Sequence, residues 1–390
     1  MVPRLDTWRW KAALALGSTV LALLLAALAG EAAVRYRESH RHTVPGTMPL
    51  LFYRHVRLGY ALVRDYNYFG WVHVNRQGFR GSDVAMDKPP GTTRIIAVGG
   101  STTFDTFVSR DEAAWPARTQ FWLKQLAPQR PVEVINAGVP GYRVIDDLVR
   151  LQTELYQYQP DVIILYQAHN DLFAALRRGT SGPPPDTDTP LEMPAVTPWR
   201  HWLERHSLLY TKLAERVQIR RFHGIKPRDP DSAPLRLEPT NSIVDSAVRQ
   251  FERDVRAFLA VARSLGIRVV IPEVVQVSGV GASEELDPVV RKMWSRTVPF
   301  VRPETVLLGY ARYNLALRRV SAQYSAPFLP IGRFELAGTA FYGDDDPIHF
   351  NDRGADVMGR KMAEALLAAG VLDSPATGER GPPQMRTSLP

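Results

Sequence analysis

Three residues of this 390-residue chain have the types and spacing of an acyl-transfer site: Ser101, Asp346 and His349. Ser101 follows "RIIAVGG", an apolar run that stops at two glycines. A serine hydroxyl is a poor nucleophile until a base takes its proton, and an imidazole within hydrogen-bond reach can do so. The Asp346-x-x-His349 spacing lets the carboxylate hold the ring through its other nitrogen, fixing the tautomer and stabilising the imidazolium. Acyl attack also needs donors aimed at the developing oxyanion. The backbone N–H of Ser101, the backbone N–H of Gly141 in "NAGVPGYRV" and the side-chain amide of Asn170 in "YQAHNDLF" could supply three. Each is worth on the order of 3 kcal/mol when well placed. A lone serine in such a turn more often merely satisfies backbone groups, so the chemistry depends on these segments meeting.

The elements that must bring them together alternate between two periods. Apolar, β-branched runs read as buried strands at "RIIAV" (94–98), "PVEVIN" (131–136), "DVIILYQ" (161–167), "IRVVIPEV" (267–274) and "APFLP" (326–330). Between them lie helical patterns. The first carries Trp115, Phe121 and Leu123 behind a capping-box spacing at Ser109–Glu112, and the second carries Val144, Leu148, Leu151 and Leu155. A long amphipathic one shows Val248, Phe251, Val255, Phe258 and Val261 on one face, another ends near Tyr324, and the last is marked by Ala355, Met358, Met362 and Leu366. Strands and helices alternating in this way predict a parallel sheet covered on both faces, a three-layer α/β/α sandwich. In such sheets ligands bind outside the carboxyl ends of the strands. Ser101, Gly138 and Gly141, and Asn170 and Asp171 all fall on such ends, and Asp346 and His349 lie on the turn before the last helix.

Four blocks in this order resemble those of the SGNH, or GDSL, hydrolase family. "GGSTTF" is similar to its glycine-aspartate-serine block, "NAGVPG" to its second block, "AHND" to its glycine-x-asparagine-aspartate block and "DPIH" to its aspartate-x-x-histidine block. The resemblance runs from about Asn75 to Gly370 with one interruption. It implies a flavodoxin-like sheet, Ser101 as nucleophile, His349 as base, Asp346 as its orienter, and Ser101, Gly141 and Asn170 as oxyanion donors. It implies no cofactor and no metal. Two positions depart from the pattern: Gly100 stands where the family has aspartate, and Ala168 where it has glycine.

Other chemistries lack their residues. There is no G-x-S-x-G elbow, and "GGSTTF" has neither the lysine of a P-loop nor the glycine spacing of a dinucleotide fingerprint. The chain has no cysteine, which excludes thiolate chemistry, cysteine metal sites and a lipoprotein anchor. His201, Glu204 and His206 match neither H-E-x-x-H nor H-x-x-E-H and read as surface residues. The net charge of +8 comes from 48 basic and 40 acidic residues scattered along the chain, without the basic stripe of a nucleic-acid binder.

Before the sandwich, residues 1–35 read as a tail and membrane anchor. Ala12 to Gly30 carries no charge, and at ~1.5 Å per residue spans about 29 Å, close to the ~30 Å hydrocarbon thickness of a bilayer. A cleavable signal peptide is the rival reading, because Ala27-Leu28-Ala29 fits a cleavage pattern. Residues 36–90 form an aromatic-rich extension in which "GWVHVNRQGFRG" suggests a hairpin. Its rings suit either burial on the core or stacking against carbohydrate. Residues 91–372 form the hydrolase domain, with an insertion over about 177–240 that suggests a lid. Within it, "RRGTSGPPPDTDTPLEMPAVTP" and "KPRDPDSAPLRLEP" flank an amphipathic helix, and residues 373–390 read as a disordered tail.

These readings combine into a single-pass protein of the cytoplasmic membrane with its catalytic domain on the periplasmic side. Its expected activity is that of a serine esterase on O-acyl, including O-acetyl, esters of envelope or exported polysaccharide, with lipid or small esters close behind. An O-acyltransferase of polysaccharide decoration and a non-catalytic envelope scaffold are the alternatives from other classes.

Overall fold

Runs of β-branched residues with no polar interruption can only be buried on both faces, and the chain meets that demand with a parallel sheet. The computed structural model describes residues 7–39, 51–68, 70–181, 199, 202–203, 206–214, 245–278, 286–298, 301–332 and 335–373. In it, α1 (Thr7–Ser39) precedes two short hairpins, β1 (Phe52–His55) with β2 (Gly59–Leu62) and β3 (Tyr66–Tyr68) with β4 (Val72–Val74). The sheet is built from β5 (Thr93–Gly99), β6 (Val132–Asn136), β7 (Val162–Tyr166), β8 (Arg268–Pro272) and β9 (Phe328–Leu329). Its order is β6-β5-β7-β8-β9, and every pairing is parallel. Renumbered from the first strand this is the 2-1-3-4-5 order of flavodoxin-like sheets, whose switch point falls between the first and third strands.

Helices cover both faces. α3 (Trp115–Leu126) packs against α9 (Asp352–Ala368), while α4 (Val144–Thr153), α6 (Asp245–Ser264) and α8 (Pro303–Tyr324) pack together. The periodic residues do the burying: Val248, Phe251, Val255 and Phe258 of α6 and Ala355, Met358, Met362 and Leu366 of α9 all lie in the core. Two further helices are α5 (His169–Ser181) and α7 (Pro288–Thr297).

Several local expectations are corrected. Ser109 does not cap α3. Its hydroxyl and backbone N–H instead donate to the Asp352 carboxylate at 2.5 and 2.7 Å, and Asp111–Ala113 form a 3-10 turn. α3 begins at Trp115, fixed by a proline in its first turn and by the Trp115 N–H donating to Asp105 Oδ2 at 2.8 Å. Ser101 opens a four-residue helix, α2 (Ser101–Phe104), where a loop was expected. Residues 177–181, read as loop, continue α5. Of the aromatic extension, Tyr66, Tyr68 and Phe79 are buried. The remaining Pro-rich stretches, His201, Glu204 and the tail from Ser374 lie outside the described residues.

The chain divides into two compact units. The larger contains the sheet and residues 51–194. The smaller joins α1 with residues 195–229. Within it, α1 contains a 28-residue stretch, Trp10–Arg37, whose most apolar 18-residue window has a mean hydropathy of 2.3, long and apolar enough to cross a membrane.

Desolvation pushes three carboxyls of the larger unit upward, Asp105 and Asp171 to about 8 and Asp147 to about 7. Asp105 Oδ1 meets no hydrogen-bond partner among the described residues, as suits a neutral acid. Its folded pKa exceeds the unfolded value of about 3.9, so between those values the folded chain holds the extra proton. The stability tied to this group is therefore intact below pH ~4 and is lost as pH rises toward ~8. Asp105→Asn keeps an acceptor for Trp115 and cannot ionise. Urea unfolding at several pH values should show the variant gaining on the parent as pH rises, at up to about 1.4 kcal/mol per pH unit. A difference independent of pH would contradict this.

Candidate active site

The register of the sheet decides which loops become neighbours. Gly99 pairs with Tyr166 and Ala97 with Asn136, so the segments leaving β5, β6 and β7 emerge side by side at the carboxyl edge. β8 brings the fourth: beyond its end, the Val277 N–H donates to Pro347 O at 2.9 Å, tying the turn of Asp346–His349 to the same edge. Asn351 then caps α9, its side chain accepting from Gly354 N at 3.0 Å and donating to the carbonyls of Ala340 and Tyr342.

At this edge Ser101, His349 and Asp346 form one hydrogen-bonded chain. Ser101 Oγ lies 2.7 Å from His349 Nε2, and His349 Nδ1 lies 2.9 Å from Asp346 Oδ2. With the ring neutral, Nδ1–H donates to the carboxylate and Nε2 accepts the hydroxyl proton. The other carboxylate oxygen, Asp346 Oδ1, accepts the backbone N–H groups of Ile348 and His349 at 2.9 and 2.8 Å. Burial pushes Asp346 upward, but the His349 charge and these hydrogen bonds outweigh it and hold the carboxyl below its ordinary value. It is therefore ionised near neutral pH. The Phe107 ring flanks the imidazole at 5.1 Å between centroids.

The segments that carry the three expected donors meet at Gly100, the residue before the serine: a Cβ there would lie 2.3 Å from Asn170 Nδ2 and 3.3 Å from Tyr142 O. Ser101 is the first residue of α2, whose N–H has no partner within the helix. Asn170 Nδ2 donates to Tyr142 O at 2.8 Å, one residue past Gly141, which leaves its second hydrogen free to point elsewhere. Gly141 adopts φ 87°, and a Cβ there would collide with the Tyr60 hydroxyl. Gly100 has an ordinary φ of −84°, so its constraint is purely steric: a Cβ would collide with Asn170 Nδ2. The space that an aspartate would need at this position is taken by the Asn170 amide. Ala168, the other departure, is fully buried and its carbonyl accepts from Leu172 N in α5. Asp171 faces away from this group, accepting from Val144 N at 3.4 Å at the start of α4.

Residues that the motifs do not reveal support this edge. Arg80, its side chain fully buried, donates to the carbonyls of Phe104 and Asp105 at 2.7 and 2.6 Å and pairs with Asp111 at 2.7 Å. It thereby satisfies the carbonyl end of α2, the helix that Ser101 begins. Tyr60 donates to Pro140 O at 2.8 Å and accepts at its own backbone carbonyl the hydroxyl of Tyr142 at 2.5 Å, bracing the Gly141 loop. His169 is buried with Nδ1 2.7 Å from the Tyr310 hydroxyl, and burial, with the nearby His349, pushes it down to about 3. It stays neutral. Among the described residues no cluster of His, Asp or Glu could hold a metal ion.

Gly100→Ala gives a steric test of this edge. The methyl group must displace the Asn170 amide, so the variant should lose the same 10²–10³-fold in kcat expected for removing one oxyanion donor, and so should Asn170→Ala. The double variant should be no worse than either, because both remove one group. Additive losses in ester hydrolysis would show that Gly100 and Asn170 act separately.

Comparison with known proteins agrees in class. The GDSL-like lipase/acylhydrolase family matches residues 97–357. Solved structures with similar architecture include an acetyl xylan esterase, AlAXEase, at 16% identity, covering 70% of this chain and 99% of that one with a TM-score of 0.40. A psychrotrophic esterase, EstA, from Pseudoalteromonas sp. aligns at 12% identity over 71% and 98%, with a TM-score of 0.41. An acetyl xylan esterase from Geobacillus stearothermophilus aligns at 14% identity over 71% and 93%, with a TM-score of 0.40. No curated protein matches the chain. With the family match covering two thirds of the sequence, the chain belongs to the GDSL-like lipase/acylhydrolase family, as an ester hydrolase.

Proposed function

We propose that this protein is a membrane-anchored, extracytoplasmic serine esterase that cleaves O-acyl esters, with short O-acetyl groups on envelope or exported polysaccharide as its preferred substrates. The observation that carries the catalytic part is the unbroken hydrogen-bonded chain from Ser101 Oγ through His349 to Asp346. In this reading Ser101 Oγ attacks the ester carbonyl while its proton passes to His349 Nε2. The tetrahedral oxyanion is met by the N–H groups of Ser101 and Gly141 and by the Asn170 amide. His349, now an imidazolium stabilised by Asp346, gives the proton to the departing alkoxide, leaving an acyl group on Ser101. Water then repeats the sequence: His349 takes its proton, hydroxide adds to the acyl carbon, and collapse returns the proton to Ser101 as the carboxylic acid leaves. No step calls for a metal or organic cofactor.

The anchoring part rests on the apolar stretch of α1, and the basic Arg4, Arg9 and Lys11 at its start favour that side as the cytoplasmic one. A polymer-bound substrate outside that membrane then follows from location. The half-buried Phe107 beside His349 offers an apolar face of the size that an acetyl methyl or a sugar ring can cover.

Chromogenic esters of increasing acyl length, assayed beside Ser101→Ala, test this directly. Hydrolysis of the acetyl ester should fall by at least about 10³-fold in the variant, and acetate should be released from acetylated cell-surface glycan. Turnover confined to long acyl chains would remove the acetyl reading, and retention of activity without Ser101 would remove the mechanism.

A further inference from the structure

The smaller unit contains a contact with no part in ester chemistry. Glu31 is the first charged residue after the apolar run of α1, and its carboxylate receives the start of a helical segment, residues 208–214. Glu31 Oε1 accepts from Leu208 N and Oε2 from Leu209 N, each at 2.9 Å, while the Ser207 hydroxyl donates to Oε2 at 2.9 Å. Ser207 in turn accepts from Tyr210 N at 3.0 Å as the local cap. A carboxylate at a helix N-terminus meets both unpaired N–H groups and the positive end of the helix dipole. Arg35 closes the clamp. It pairs with Glu31 at 2.7 Å and donates to His206 O at 3.1 Å. Gly30, the residue before Glu31, lets the helix backbone approach Leu209, whose Cδ2 would lie 3.0 Å from a Cβ at that position.

The clamp holds residues 206–209, and with them the helical segment 208–214, at one level of α1, the level where apolar residues give way to charges. The segment then turns large apolar groups outward. Trp199 and Trp202 are 63% and 58% exposed and Leu213 is 52% exposed, while Leu208 and Thr211 face inward. Trp202 stacks on His206 at 4.6 Å. Tryptophan is the side chain best suited to the boundary between lipid headgroups and acyl chains, because its ring is apolar and its N–H seeks a polar partner. At the opposite end of the apolar run α1 carries Trp8 and Trp10, also exposed, and Tyr36 lies beyond Glu31. From Trp10 to Tyr36 a helix rises about 39 Å, close to the ~40–45 Å of a bilayer with its headgroups.

We infer that Trp199, Trp202 and residues 206–214 form a second membrane contact, held at the bilayer surface by the Glu31 clamp with Trp199 and Trp202 among the lipid headgroups. This rests on α1 crossing the membrane. Its consequence is that residues 206–214 are held from two sides, by Glu31 and by the lipid surface.

The chain lacks cysteine, so one introduced cysteine carries one environment-sensitive probe. The full-length protein would be labelled at Trp202→Cys, at Ser18→Cys within the apolar run and at Tyr156→Cys on the exposed surface of the larger unit. Each would be placed in phosphatidylethanolamine and phosphatidylglycerol vesicles bearing a nitroxide quencher on the headgroup or deep in the acyl chain. The probe at 202 should lose about half its emission to the headgroup quencher and less to the deep one, that at 18 the reverse, and that at 156 neither. Glu31→Ala should cut the quenching at 202 by about half without changing that at 18. Deep quenching at 18 with 202 behaving like 156 would overturn the interfacial segment and leave the anchor standing. Absence of quenching at 18 would overturn the anchor and the segment together, and an Glu31→Ala variant with unchanged quenching at 202 would remove the clamp.

Discussion

The hydrogen bond between Ser101 Oγ and His349 Nε2 joins residues 248 positions apart, and the rest of the larger unit can be understood as what that bond requires. A serine at the end of the first sheet strand and a histidine just before the last helix can meet only if the chain returns to the edge from which it first left. A parallel sheet achieves this because every strand points the same way and every loop after a strand opens on the same edge. The 2-1-3-4-5 order then brings the loops after β5 and β7 together at the switch point, with β6 supplying a third on the other side of β5. The turn carrying Asp346 and His349 is added through the backbone bond from Val277 to Pro347.

Holding these groups within a few tenths of an ångström falls to residues that touch no part of the serine's hydrogen-bonded chain. Arg80 is buried, a costly place for a charge, and its guanidinium is fully engaged there: by two carbonyls at the end of α2, the carbonyl of Trp71, and Asp111. Tyr60 and Tyr142 brace the Gly141 loop from opposite sides. Both Arg80 and Tyr60 come from the aromatic-rich stretch ahead of the sheet, so that stretch does more than cover the core. It also supplies hydrogen bonds to the strand-end loops.

Much of this was legible in the sequence, for identifiable reasons. The five strands stand out because uninterrupted Val, Ile and Leu runs suit only a doubly covered sheet, and α6 and α9 because their apolar residues recur at helical spacing. Ser101, Gly141 and Asn170 could be placed at strand ends because apolar runs and turn glycines mark those ends locally, and Asp346 and His349 on the turn before the last helix by their Asp-x-x-His spacing. Arg80 could not be found that way. Its partners are backbone carbonyls 24 and 25 residues distant, which no local pattern encodes. The start of α3 was misplaced for a related reason: Ser109 has the spacing of a cap, but Asp352, 243 residues later, competes for it, and Asp105 caps the helix from a left-handed position at φ 67°. The clamp at Glu31 was equally hidden, since a single glutamate after an apolar run carries no sign of what it will bind.

The central claim is that Ser101 becomes acylated, and covalent capture tests it most directly. A fluorophosphonate reacts only with an activated serine, placing phosphorus on the oxygen and expelling fluoride, and peptide mass spectrometry then locates the adduct. One adduct on Ser101, absent from the His349→Ala variant, is the expected result. Labelling of a different serine, or equal labelling of Ser101 without His349, would contradict it.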